Sequence, residues 1–217
     1  MDCKNNSFPI ANLETLYAWF AGFYLHAPTE DLLQAFSDSK RTHGLSSFFQ
    51  GKDSQRALKE LALYVRKSSL EDLSTEFSSL FVVPNRGSYV PPYESCFIDK
   101  NGEAFGNLWG NTTADVKKFY QTTGNDVENP IGVYAPDHIG VELAFVAKLC
   151  STEAEYLGRN DLANADRIES LRKTFLNKHI SKWIGDYSEA VKTSASSHFY
   201  RNLNTLVIHF IESDLEN

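Results

Sequence analysis

The sequence predicts an all-α protein, a single-domain helical bundle spanning residues 1–217. Three observations carry this. Wherever apolar residues cluster they recur at helical spacing; no convincing series of alternating strands, internal repeat or low-complexity tract interrupts them; and a 217-residue chain with 42% hydrophobic and 13% aromatic residues can bury a sizeable core.

The first helix carries Leu13, Leu16, Tyr17, Phe20 and Tyr24 on one side. A short one follows with Leu32, Leu33 and Phe36, then another with Leu58, Leu61, Ala62 and Val65. Ser69 is the expected N-cap of a helix through Leu70, Leu73, Phe77, Leu80 and Phe81, which stops before Pro84 because proline disfavours a helical residue ahead of it. Residues 84 to 110 hold three prolines and four glycines and lack a period. Their aromatics, Tyr89, Tyr93, Phe97, Phe105 and Trp109, argue for an ordered, packed loop. Helices are expected again through Val116, Phe119 and Tyr120, from Pro136 past Leu149, from Asn160 to about Phe175, and between His179 and Ile211.

Charge and cysteine usage narrow the function. The net charge of −7, from 21 basic and 28 acidic residues, argues against phosphate backbones and anionic lipid as partners. No run of about 18 apolar residues exists and Met1-Asp-Cys-Lys-Asn-Asn lacks the features of a secretion signal, so a cytoplasmic protein without stable membrane insertion is expected. Cys3, Cys96 and Cys150 are too far apart for a disulfide framework or a Cys-x-x-Cys metal site.

The most informative segment is Tyr134-Ala-Pro-Asp-His-Ile-Gly-Val-Glu142. Pro136 suits the first turn of a helix, and His138 and Glu142, four positions apart, share a face. No Lys or Arg lies between Lys118 and Lys148, whereas Asp126, Glu128, Asp137 and Glu142 do, so the interval is locally anionic and suits a cationic partner. Three readings compete: a capped helix start with a local His–Glu contact; a metal site, which falls short of a usual ligand set; and a rim whose carboxylates accept from guanidinium groups. Pro91-Pro92-Tyr93-Glu94-Ser95 is preorganised by its prolines, although a Pro-Pro turn is also a common structural device. Phe77, Leu80 and Phe81 read as core residues as readily as a groove wall. No phosphate loop, Gly-x-Ser-x-Gly elbow or Cys/His pair points to catalysis.

In combination these segments are recognisable. Glu76-Phe77-x-x-Leu80-Phe81 leading to Pro84, Pro91-Pro92-Tyr93-Glu94-Ser95, Pro136-Asp137-His138-x-x-x-Glu142, and His179-x-x-x-Trp183 with Phe199-Tyr200 resemble the TorD/DmsD/NarJ family of redox-enzyme maturation chaperones, from about residue 10 to 212. The resemblance implies a cytoplasmic all-helical chaperone, not an enzyme and without a cofactor. Such a protein binds the twin-arginine signal peptide and apoprotein of a molybdopterin oxidoreductase and holds it back from export until cofactor is inserted. The Asp137-His138 pair looks like the TorD and DmsD branches, which makes dimethyl sulfoxide, trimethylamine-oxide and tetrathionate reductases the nearer clients. Two positions depart from the pattern: Ala135, where many relatives are acidic, and Val83, where a glycine often precedes Pro84.

The signal-peptide site implied comprises Phe77, Leu80, Phe81, Pro91, Pro92, Tyr93, Glu94, Ser95, Trp109, Pro136, Asp137, His138 and Glu142, with no catalytic or metal-ligating residue. Two arginines followed by an apolar stretch need carboxylates beside a groove. The alternative is a small metal- or nucleotide-dependent enzyme using Asp137, His138 and Glu142. Without a phosphate loop any guanine-nucleotide binding would be weak, and the expected state is a monomer with scope for a domain-swapped dimer.

Overall fold

A computed structural model describes residues 10–84, 87–100, 102, 104–123 and 134–216. Cys3, Asp126 and Glu128 lie outside them. Eleven α-helices and no strand occur among the described residues: α1 Ile10–Leu25, α2 Glu30–Leu33, α3 Ser39–Leu45, α4 Lys52–Val65, α5 Leu70–Phe77, α6 Glu94–Ile98, α7 Asn111–Thr122, α8 Ile139–Gly158, α9 Leu162–Lys178, α10 Ile180–Ser194 and α11 Phe199–Glu216. The expected all-α class is what is found. None of these helices is long and apolar enough to cross a membrane.

The chain divides into two compact units. One comprises Met1–Ala21, Tyr93–Trp183 and Ile211–Asn217; the other comprises Gly22–Pro92 and Ile184–Phe210. In the second unit α5 starts as its sequence dictates. Ser69 Oγ accepts from the Asp72 N–H at 3.1 Å and Asp72 returns the contact to the Ser69 N–H, a reciprocal cap. The helix widens into a π turn over Ser78–Val82 and ends at Val83. Val90 N–H then donates to Leu80 O at 2.8 Å, which ties the proline loop to that turn. Phe81 packs edge-on to Tyr200 (4.9 Å between centroids) and meets Tyr24 and Tyr187, while Phe77 contacts Phe81. Glu76 accepts from the Ser197 N–H and from the hydroxyls of Ser196 and Ser197, fixing the approach to α11.

In the first unit, Phe119 and Tyr120 of α7, Phe145 of α8 and Phe175 of α9 form one aromatic cluster. Tyr17 donates to Asp214 at 2.7 Å, and Asp214 and Glu153 neutralise the buried Arg172 guanidinium. Charged groups this deep require such pairing. The turn between α8 and α9 corrects one sequence expectation. Asn160 does not begin a helix: it sits at φ 58°, and the Asn160 and Asp161 N–H groups bond back to Leu157 O and Tyr156 O, which terminates α8. Asp161 then caps α9 by accepting from Asn164 N–H.

Candidate functional site

The Tyr93-Glu94-Ser95 and Pro136-Asp137-His138 segments, more than forty residues apart, meet in the first unit. The N-cap residue of α6, Tyr93, offers no side-chain acceptor to the helix. Asp137 supplies it from a distant turn: its carbonyl accepts the Glu94 N–H at 2.9 Å and its Oδ2 accepts the Ser95 N–H at 3.0 Å. Tyr93 and His138 pair as an isolated antiparallel bridge, with rings 5.1 Å apart. Tyr120 Oη donates to Pro136 O at 2.8 Å and holds the same turn from α7.

Pro136 is not in the first turn of α8 as its position suggests; it lies in the preceding turn, and α8 begins at Ile139. The reason is local. His138 takes the N-cap position, and its Nδ1 accepts the Gly140 N–H at 3.0 Å. That nitrogen therefore carries no proton. Burial also disfavours the imidazolium and pulls the His138 pKa down to about 3. His138 is thus a neutral structural acceptor.

Around this joint lies a set of buried carboxyl groups. Glu94 is 2% exposed, Asp137 and Glu142 are fully buried, and none of the three lies on an open rim. His179 Nδ1 approaches Glu94 Oε2 at 3.1 Å. Asp137 Oδ1 and both oxygens of Glu142 accept from no donor. Burial raises the Glu142 pKa well above its ordinary value, repulsion from neighbouring Glu94 and Asp137 adds to the shift, and the Trp183 indole opposes it. Glu142 is accordingly held toward its neutral form by burial among carboxyl neighbours. Among the described residues no group of three His, Cys, Asp or Glu side chains is placed to hold a metal ion.

The remaining sequence-predicted residues fall elsewhere. Phe77, Leu80 and Phe81 are buried in the aromatic core of the second unit, which also contains Pro91 and Pro92, both buried. Tyr93 and Pro136 are half-buried. Trp109 is 70% exposed on the loop after α6, with a left-handed backbone at φ 66°. That loop is folded tightly onto α6: Gly106 N–H donates to Cys96 O at 2.8 Å, and a Cβ at Gly106 would lie 2.5 Å from Asp99 O. Ile98 and Leu108 are exposed on the same segment. Sequence reasoning passed over these two, since an isolated apolar residue in a Gly-rich loop carries no period. It also omitted His179 and Trp183 as partners of the carboxyl groups, although both stand in one motif.

Comparison with known proteins follows this geometry. The family model described as nitrate reductase delta subunit matches residues 51–189. A chaperone protein TorD from Shewanella pealeana is 26% identical over 160 residues, covering 72% of this chain and 65% of that protein, just under two thirds of its length. A chlorate reductase assembly chaperone protein from Ideonella dechloratans is 24% identical over 146 residues, covering 67% and 71%. The crystal structure of a protein assigned to redox enzyme maturation in Archaeoglobus fulgidus shares the fold at a TM-score of 0.52, with 19% identity over 97% of this chain and 98% of that one. The chain belongs to the nitrate reductase delta subunit family, beside relatives that are chaperones rather than enzymes.

Proposed function

We propose that this protein is a cytoplasmic chaperone that binds the twin-arginine leader, and then the apoprotein, of a molybdopterin oxidoreductase, delaying export until cofactor is inserted. Residues 1–217 act as one chaperone domain in this reading. The observation that carries it is the unused acceptor capacity of Asp137 Oδ1 and Glu142 beside Glu94. Buried acceptors without donors are costly, and a guanidinium, with five N–H groups in a planar fork, is the side chain best shaped to satisfy several at once. The exposed Ile98, Leu108 and Trp109 support a place for the apolar stretch that follows the arginines. The left-handed backbone at Trp109 is a conformation that bulky residues rarely adopt without a functional reason. The client in this reading is of the dimethyl sulfoxide, trimethylamine-oxide or tetrathionate reductase type, and the naming of one relative for chlorate reductase assembly supports an oxidoreductase client in general.

Because the carboxyl groups are buried, the arginines enter only as the Tyr93–His138 pairing and the turn before α8 part. The incoming charge then replaces the proton on Glu142. Apolar burial at about 25 cal/mol per Å² provides most of the affinity, and the carboxylates set register. The test is a double comparison. Asp137→Asn with Glu142→Gln should weaken an Arg-Arg leader by more than it weakens a Lys-Lys leader, since lysine cannot form the forked pair. Equal losses for both leaders would reduce these carboxylates to internal bracing of α6 and α8.

A further inference from the structure

The chain's charge is unevenly divided. Residues 38–67 hold seven Lys and Arg against three Asp and Glu, in a protein whose net charge is −7. This basic stretch forms α3, α4 and the turn that follows, all within the second unit. Two open clefts lie along it. One, of about 540 Å³, has Leu58 and Ala62 at its base and Lys59, His43 and Arg66 at its edges. The other, of about 360 Å³, is lined by Leu63, Tyr64, Lys67, Glu60 and His198. Leu63 is 46% exposed and borders both, so the two clefts adjoin along α4 and together make a groove interrupted at that side chain.

From Gln55 to Lys67 that groove follows about three helical turns, roughly 18 Å. Its chemistry is consistent along the length: an apolar floor with cations at the side, and Glu60 as the one carboxylate among the lining residues. Arg66 is held in a fixed plane, its Nε donating to Phe36 O and its Nη2 to Thr42 Oγ1, both at 3.1 Å. Asp38, whose carboxyl is held below the usual range chiefly by the Arg41 N–H it accepts, is committed to that N–H and to the Arg41 guanidinium. Lys59, Lys67 and His43 make no ion pair among the described residues. Two lysines left without an ion pair beside the exposed Leu63 and half-buried Tyr64, in an otherwise acidic protein, define what fits there.

We propose that this α3–α4 groove docks an acidic amphipathic segment of a partner protein, a helix with apolar anchors on one face and carboxylates beside them. The elongated shape favours a peptide over a compact phosphate, and helix-in-groove recognition uses anchors at i, i+3/i+4 and i+7. This surface is built from residues separate from Asp137 and Glu142, and it stands whether or not the leader binds there.

The probe is a fluorescent 15-residue peptide of Glu and Leu at helical spacing, compared with the same peptide carrying Lys for Glu. The wild-type protein should bind the Glu peptide, more weakly as salt is raised, and leave the Lys peptide unbound. Lys59→Glu with Lys67→Glu should weaken the Glu peptide about tenfold or more, and Lys59→Gln with Lys67→Gln, which keeps the fold's charge burden milder, should show a smaller loss. Leader affinity should not change in either variant. Equal binding of both peptides, or equal binding by wild type and variants, would overturn the proposal. Loss of leader and Glu peptide together in the variants would also overturn it, by making the groove part of the leader site, whereas failure of the proposed function would show as no leader binding by the wild type.

Discussion

Glu142→Gln should reverse the protein's response to alkaline pH. In the folded state Glu142 is held neutral by burial beside Glu94 and Asp137, whereas in the unfolded chain it ionises near 4.5. Its folded pKa is raised, so the stability tied to it is complete below 4.5 and is lost as pH rises toward the folded value. The loss is about 1.4 kcal/mol per pH unit while the folded state keeps a proton that the unfolded state has released. As pH rises above 4.5 the wild type should therefore lose stability relative to the Gln variant until the folded Glu142 itself ionises. The Gln amide is neutral at every pH and can donate to Glu94, so the packing is retained. His138 acts in the opposite sense: its pKa falls from 6.5 to about 3 on folding, so its contribution is complete above 6.5 and is lost as pH falls toward 3. The two effects offset each other between 4.5 and 6.5. Urea titrations at fixed ionic strength, extrapolated to water at pH 5 to 9, measure the difference. Parallel stability curves for wild type and Glu142→Gln would refute the neutral buried acid.

Asp137→Ala should cost about 1–3 kcal/mol, because the Ser95 N–H loses its buried acceptor, and hydrogen exchange at that amide should accelerate. Phe81→Ala should cost about 3–5 kcal/mol in thermal or urea unfolding, since the ring packs on Tyr24, Tyr187 and Tyr200. Trp109→Ala should change stability by no more than about 0.5 kcal/mol yet weaken a twin-arginine leader about tenfold, as titration would reveal. A stability loss in Trp109→Ala in proportion to its affinity loss would mean that the Trp109 loop is not a separate binding surface.

Much of the helical framework was legible because its signals are local. Ser69 announces α5 and the periodic residues of α1 and α4 trace their helices directly, whereas the stretch from His179 to Ile211 is divided into α10 and α11 by a break at Ala195–His198 that its apolar period does not show. The misses arise where the deciding partner is distant or unusual. α6 has five residues inside a proline- and glycine-rich loop, and the acceptor for its Ser95 N–H arrives from Asp137, forty-two positions away. α3 carries no apolar stripe and is started by the Asp38 cap alone. The start of α8 lies three residues beyond Pro136, where the sequence places it, because histidine is an uncommon N-cap. The site shows the same limit. A run without Lys or Arg points to Asp137 and Glu142, but counting charges cannot distinguish an exposed anionic rim from buried carboxyl groups, one of them held toward its neutral form. Only the fold supplies Glu94, His179 and Trp183 as their neighbours.

Isothermal titration of a twin-arginine leader at pH 7, in phosphate and in Tris, tests the central claim most directly, since the two buffers take up protons with very different heats. Binding near 1 μM, about −8 kcal/mol, with unequal heats in the two buffers is predicted, because a guanidinium displaces the Glu142 proton. The inequality should vanish in Glu142→Gln. No heat in either buffer with a cognate leader would contradict leader binding, and equal heats in the wild type would contradict the carboxyl pair as its receptor.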